Sequence, residues 1–437
     1  MPAPVHPVIF VPGITATALK DEYPLPPETV WSVLSKDFER ITLHPDDLRY
    51  EARQPVRVIR DQPFEIAYKE LIAELRHNLT PRPDKPVPVY AFGYDWRRPL
   101  AETEAALGEF IDEVIDRTKL LKHYHASGYA DDPKVHLIGH SMGGLIIAGH
   151  LKQAGKRARV AKVATLASPF RGSFEAVLKI TTGTADLGGG DSGSREREAA
   201  RVTPGLYHLL PSMPGAITIE NPALGSSLYQ PELWQPGVHA TIAQFVRMHG
   251  LGKGSAEQRA ADLFASLLTQ AREHRARLES LKLTDAGLQA KDWLCVVGVD
   301  CKTRTGLRIR ARNGKPEFEL ESEDRQNRWA DPEATPAQRA ATGDGTVPFS
   351  GAVPAFLDQR HLVCVTPDDF GYWEIQDRVL AKAAGFHGIL PNMDMLHRLL
   401  ARHLTGAPDH HGNTWGRPAP GIAPSQWQPP LPLTLKP

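Results

Sequence analysis

"VHLIGHSMGG" at residues 135–144 is the stretch on which the reading of the whole chain turns. Gly139, Ser141 and Gly143 satisfy G-x-S-x-G. A chain this long meets that pattern by chance roughly 0.1 to 0.2 times at ordinary glycine and serine frequencies, so the flanking residues must carry the weight. Val135, Leu137 and Ile138 form an apolar run of the kind found in strands covered on both faces. From Met142 onward Leu145, Ile146, Ala148 and Leu151 recur at helical spacing before Gly155. Ser141 therefore stands between a strand and a helix. A sharp turn there lifts the hydroxyl above the sheet, and the glycines remove side chains that would clash across it. Gly144 lets the helix approach closely. The Met142 amide is aimed where negative charge would gather on a carbonyl oxygen, aided by the helix amino terminus. The plain alternative is an ordinary glycine-rich turn at a strand end.

Further apolar runs alternate with helix-period stretches: 7–11, 87–92, 134–138, 160–166, 293–299 and 361–365 read as strands, and 102–121 as a helix. The economical architecture is α/β, with a mostly parallel central sheet flanked by crossover helices. A second carbonyl-facing amide is expected from the turn after the first strand, in "VIFVPGIT" at 8–15, with Ile14 the first candidate and Gly13 the next.

A serine hydroxyl needs a base, and the base an acid to set its tautomer, following the serine in chain order. Asp344 in "ATGDGTVPFS" lies in a tight loop between glycines, and Asp300, ending the 293–299 strand, competes on position. His387 in "AGFHGILPN" is the favoured base. His140 adjoins the serine and cannot turn back onto it, and His136 reads as a core residue of the strand. His361 reads as a strand start, His397 and His403 as parts of a helical run, and His410 and His411 as tail residues.

Composition narrows the class. Lysine plus arginine and aspartate plus glutamate both total 51, so nucleic-acid binding through a basic face is not expected. No run of eighteen apolar residues suggests a membrane span, and the first thirteen residues read as a strand rather than a signal peptide; a cytoplasmic, soluble protein is the expectation. Cys295, Cys301 and Cys364 lack zinc-site spacing and read as mostly buried thiols in a reducing compartment. No metal and no cofactor is implied. The stretch 181–200, poor in large apolar residues, is expected to be mobile, and 257–282 reads as a packed cap helix. From 406 the chain is rich in proline; it is expected to wrap over the domain, stay unstructured, or occupy a partner's groove.

Five blocks in order, "PVIFVPGI", "YDWRRPL" at 94–100, "LIGHSMGG", "ASPFRGS" at 167–173 and "TGDGTVP" at 342–348, together resemble the lecithin:cholesterol acyltransferase family, which includes phospholipid:diacylglycerol acyltransferases and lysosomal phospholipases. The resemblance implies an α/β-hydrolase fold over residues 1–405, with an excursion at about 20–85, a cap or lid insertion at about 172–290, and the tail beyond. It places Ser141 as nucleophile, Asp344 as acid, His387 as base, and Ile14 with Met142 at the oxyanion. Gly13 and Trp96, inside two of the blocks, would contact substrate. The 181–200 stretch falls where the family has its lid, and Trp31 where it has a membrane-contacting loop, although no cysteine pair brackets Trp31 here. The expected activity is hydrolysis or O-acyl transfer on phospholipid or other lipid esters, with transient contact to a membrane surface and no partner protein indicated. An esterase or thioesterase for small soluble esters, an idle interaction protein on the same scaffold, and a peptidase are the competing readings.

Overall fold

A computed structural model describes residues 5–80, 82–184, 193–322, 328–371, 374, 376–377 and 385–436. Six strands make the central sheet: β1 (Val8–Val11), β2 (Val89–Ala91), β3 (Val135–His140), β4 (Val160–Leu166), β5 (Trp293–Gly298) and β6 (Leu362–Val365). Their order is β6-β5-β4-β3-β1-β2, and every pairing is parallel. Alternate side chains feed two separate cores. Ile9, Val11, Leu137, Cys295 and Val297 point into one, and Val8, Phe10, Ile138, Leu294 and Val296 into the other. This two-sided burial is why the strands are almost continuously apolar.

Helices supply the covers. On the second face α1 (Glu65–Leu79) buries Tyr68, Leu71, Leu75 and Leu79, and α8 (Asp394–Thr405) buries Leu396, Leu399, Leu400 and Leu404. Each such leucine contributes about 2 kcal/mol on burial. On the first face lie α2 (Leu100–Lys119), through Leu107, Ile111 and Val114, and α3 (Met142–Ala154). Between β4 and β5 the chain forms α4 (Phe174–Thr182), α5 (Ser194–Val202), α6 (Pro236–His249) and α7 (Ala256–Glu279). Ser255 starts α7 by accepting the Gln258 amide. In the same stretch, strand Ile217–Ile219 pairs with a hairpin of Arg304–Arg312 and Lys315–Ser322.

The excursion after β1 carries a three-stranded sheet of Thr17–Asp21, Glu28–Trp31 and Val58–Pro63. Arg97 fastens it. The fully buried guanidinium bonds Asp95 (2.7 and 2.8 Å), Glu51 (3.0 Å) and the Ile41 carbonyl (2.9 Å). Breaking a buried pair of this kind costs about 3–5 kcal/mol.

Two expectations change, for 181–200 and His361, and of the three expected for the tail the first holds. The stretch 181–200 is not one loop: Thr181 and Thr182 end α4, and α5 begins at Ser194, burying Ala199 and Ala200 on one side, while 185–192 fall outside the described residues. The tail wraps. Cys364 and Arg417 exchange backbone hydrogen bonds of 2.9 and 3.1 Å, so the tail adds a bridge to the outer edge of β6, and Trp427 Nε1 donates to the Leu362 carbonyl at 2.8 Å. His361 belongs to a short 3-10 turn, Gln359–His361, just ahead of β6 rather than to the strand itself.

Candidate active site

The chain leaves β1 for β2 on one side and then crosses to β3 on the other, so the strand order reverses between β1 and β3. A crevice opens beyond the carboxyl ends of the strands at such a reversal. Gly13 and Ile14 follow β1 into it, and Ser141 follows β3.

Ser141 sits at φ 51°, ψ −126°, immediately before α3. A residue with a Cβ is held there at a cost of about 1–3 kcal/mol. The close approach explains the glycines: a Cβ on Gly143 would stand 2.1 Å from the Val11 carbonyl oxygen, and one on Gly139 2.8 Å from the Gly143 backbone. Met142 opens the helix, so its amide has no intrahelical acceptor.

Asp344 and His387 arrive from the far side of the sheet. Gly298 ends β5, and a Cβ there would lie 2.7 Å from the Asp344 Cβ, so the strand end is shaped to admit the acid. Asp344 is buried, and its Oδ1 accepts the amides of Thr346 (2.9 Å) and Val347 (2.7 Å). Its Oδ2 lies 2.6 Å from His387 Nδ1, and His387 Nε2 lies 2.9 Å from Ser141 Oγ. A carboxylate only accepts, so the imidazole proton belongs on Nδ1 and Nε2 faces the serine as an acceptor. The histidine is carried not by a bare loop but by a short helix, Phe386–Ile389.

The competing acid goes elsewhere. Asp300 accepts the Trp329 amide at 3.2 Å, and burial pushes its carboxyl above the usual range. His140 is buried beside the serine, with Nδ1 2.9 Å from the Tyr68 hydroxyl and Nε2 3.0 Å from the His387 carbonyl oxygen. The Gly13 amide donates to that hydroxyl at 3.1 Å. The Gly13 amide is therefore engaged, while Gly13 and Ile14 both line the crevice. Tyr68 went unnoticed in the sequence because it occupies an ordinary apolar position of α1; its hydroxyl is the only hint.

The cavity over Ser141 measures about 180 Å3. Phe64, Trp96, Ala176, Leu206, Leu209 and Val347 give it an apolar wall, with Glu175 and Lys179 of α4 at its polar part. Gly13 and Trp96 both line it, the Trp96 Nε1 being occupied by the Thr17 carbonyl at 3.2 Å. Trp31 does not reach outward: it is fully buried, donates to the Thr15 carbonyl at 2.8 Å and packs 4.8 Å from the Trp96 ring. Its apolar ring supports the cavity wall from behind, which removes it as a membrane contact.

His136, His397 and His403 are buried, His403 bonding the Val163 carbonyl and His397 the Pro391 carbonyl, while His410 and His411 are exposed in the tail. Cys295 and Cys364 are buried and Cys301 is half-buried; burial pushes all three thiols up, Cys295 to about 12, so none is a thiolate nucleophile near neutral pH. Among the described residues no group of three metal-ligating side chains converges, and no helix is long and apolar enough to cross a membrane.

Ser141, His387 and Asp344 thus lie in one hydrogen-bonded line at a strained strand-to-helix turn beside an apolar cavity. Residues 59–248 match the lecithin:cholesterol acyltransferase family. That window holds the "YDWRRPL", "LIGHSMGG" and "ASPFRGS" blocks and ends before Asp344 and His387. No curated protein matches the chain in sequence. Among solved structures, that of the Tle4–Tli4 complex is similar over 79% of this chain and 88% of that one, at 16% identity and TM-score 0.50, which establishes the shared α/β-hydrolase fold. EstA from Clostridium botulinum is similar over 93% and 88%, at 12% identity and TM-score 0.34. Phospholipase PlaB from Legionella pneumophila is similar over 72% of this chain and 48% of that one, at 10% identity and TM-score 0.29.

Proposed function

We propose that this protein is a serine-dependent lipid acyl hydrolase or O-acyltransferase acting on phospholipid or other lipid esters. The observation that carries the reading is the unbroken relay from Asp344 through His387 to the Ser141 hydroxyl, opening onto an apolar cavity.

Ser141 Oγ attacks the ester carbonyl carbon while His387 Nε2 takes its proton; Asp344 stays ionised and stabilises the imidazolium. The oxyanion of the tetrahedral intermediate lies between the amides of Met142 and Ile14. His387 then returns the proton to the departing alcohol, leaving an acyl-Ser141 ester. Water, deprotonated by the same histidine, releases a fatty acid, and an alcohol in its place gives a new ester. The apolar wall supplied by Phe64, Trp96, Leu206 and Leu209 favours an acyl chain, since such a chain leaves water only for apolar surface. We read the α4–α7 region as the cap inserted in a single hydrolase unit, roofing this site.

A fluorophosphonate probe tests the reading. Wild type is expected to label and Ser141→Ala not to, with both folded by circular dichroism. Esters of increasing chain length should then be turned over increasingly well, and labelled phospholipid with and without an acceptor alcohol separates hydrolysis from transfer. A rate that is flat or falling beyond short chains removes the lipid from the proposal.

A further inference from the structure

Tyr68, His140 and the Gly13 turn form a second network behind the reacting groups, and its hydrogen bonds can run in only one direction. The Gly13 amide is purely a donor, so at 3.1 Å the Tyr68 oxygen accepts. The hydroxyl proton is then free for His140 Nδ1 at 2.9 Å. With Nδ1 accepting, the proton of a neutral imidazole must sit on Nε2, which donates to the His387 carbonyl at 3.0 Å. Burial and the neighbouring His387 hold His140 well below the ordinary imidazole range, and burial pushes the Tyr68 phenol up, so both remain neutral. Every member is buried, where a polar group left unpaired is costly.

The network ties together the turn that offers the Ile14 amide, the residue before the nucleophile, and the backbone of the base. The His387 residue is gripped at both peptide groups: its N–H donates to the Asp344 carbonyl at 3.1 Å and its C=O accepts from His140. The Gly13 turn lies against the serine, since a Cβ there would come within 3.0 Å of the Ser141 Cβ. We propose that Tyr68 and His140 are positioning residues that lock the Ile14 oxyanion turn in register with His387, so that the donor and the base act on one substrate carbonyl together. The proposal rests on the Ser141 mechanism above. It assigns no proton transfer to either residue; both act only through the groups they hold.

The test compares Tyr68→Phe, His140→Ala and His140→Gln with Tyr124→Phe. Tyr124 is equally buried, but its hydroxyl is spent on the Val5 carbonyl outside the cavity. Each is assayed for fluorophosphonate labelling rate, for kcat and KM on one ester, and for Tm. Tyr68→Phe and His140→Ala are expected to lower kcat and labelling about 10- to 100-fold with KM within about twofold, the scale set by disturbing one oxyanion donor. Their double variant should be little worse than His140→Ala, because they act as a unit. His140→Gln, whose amide can still donate to the His387 carbonyl, should recover part of the loss, while Tyr124→Phe loses Tm but keeps kcat. Labelling of Tyr68→Phe at the wild-type rate, or a loss no greater than that of Tyr124→Phe at equal Tm, overturns the proposal while leaving the Ser141 mechanism standing. Wild type that folds yet does not label brings down the mechanism itself, and this inference with it.

Discussion

Asp344 and His387, 43 residues apart in the chain, meet at 2.6 Å because the chain runs through β6 and back between them. The carboxylate is already held by two backbone amides before it reaches the imidazole. Asp344→Asn keeps the shape but offers a donor where an acceptor is needed, so it favours the wrong tautomer of His387. A loss of about 10^4 in kcat is expected. Asp300→Asn, whose partner is the Trp329 amide, is expected to change kcat less than threefold. Steady-state kinetics on both variants decide which acid serves the histidine, and the opposite ranking moves the role to Asp300.

The strain at Ser141 is measurable by itself. Both Ser141→Ala and Ser141→Gly remove the nucleophile, but only glycine relaxes the positive φ of 51°. The glycine variant should be more stable than the alanine variant by about 1 kcal/mol in denaturant unfolding, the strain relieved being partly offset by the entropy glycine gains when unfolded. Equal stabilities would mean that the turn is unstrained.

Gly13→Ala probes the turn beside the serine. A Cβ 3.0 Å from the Ser141 Cβ forces the turn to retreat by a few tenths of an ångström, enough to misplace an amide. Activity is expected to fall about 100-fold with Tm within a few degrees. Gly143→Ala meets backbone at 2.1 Å and should instead unfold the protein more readily, by about 1–3 kcal/mol or more.

Stability should fall in acid. His136, His140, His208 and His274 are held well below the usual imidazole range by burial, and His403 is lowered to about 4 by burial and the nearby Lys162 charge. The unfolded chain binds protons at these sites near pH 6.5 and the folded chain does not, so their contribution is complete above 6.5 and drains away as pH drops toward 4. Glu104, raised to about 7 by burial, works the other way and offsets one of them. Urea midpoints measured from pH 7.5 to 4.5 should fall steadily. His403→Gln should flatten the slope by up to about 1.4 kcal/mol per pH unit.

What the sequence disclosed follows the range of the forces involved. The strands of the sheet were legible because burial on both faces writes a local apolar run, and the elbow because steric crowding writes glycines within two residues of Ser141. Tyr68 was not, since its partner His140 is 72 residues away and a tyrosine on an apolar helix face looks like packing. Nothing local marks Arg97, which binds the excursion to the core through groups as distant as Ile41 and Glu51. Trp31 was given an outward role by resemblance, which the bond to the Thr15 carbonyl reverses. The proline-rich tail lacks periodicity of either kind, so its docking onto β6 left no pattern to read.

That docking has a consequence for how the protein is made. Without the tail, β6 presents an outer edge of unpaired backbone that any other strand could join, and Arg417, which bridges it at Cys364, emerges from the ribosome some fifty positions after the strand itself. Until then the sheet is unfinished on that side. A chain cut after α8 but before Arg417 keeps every residue that lines the cavity yet displays an open edge, and so carries a visible mark of incompleteness that aggregation or a chaperone can act upon.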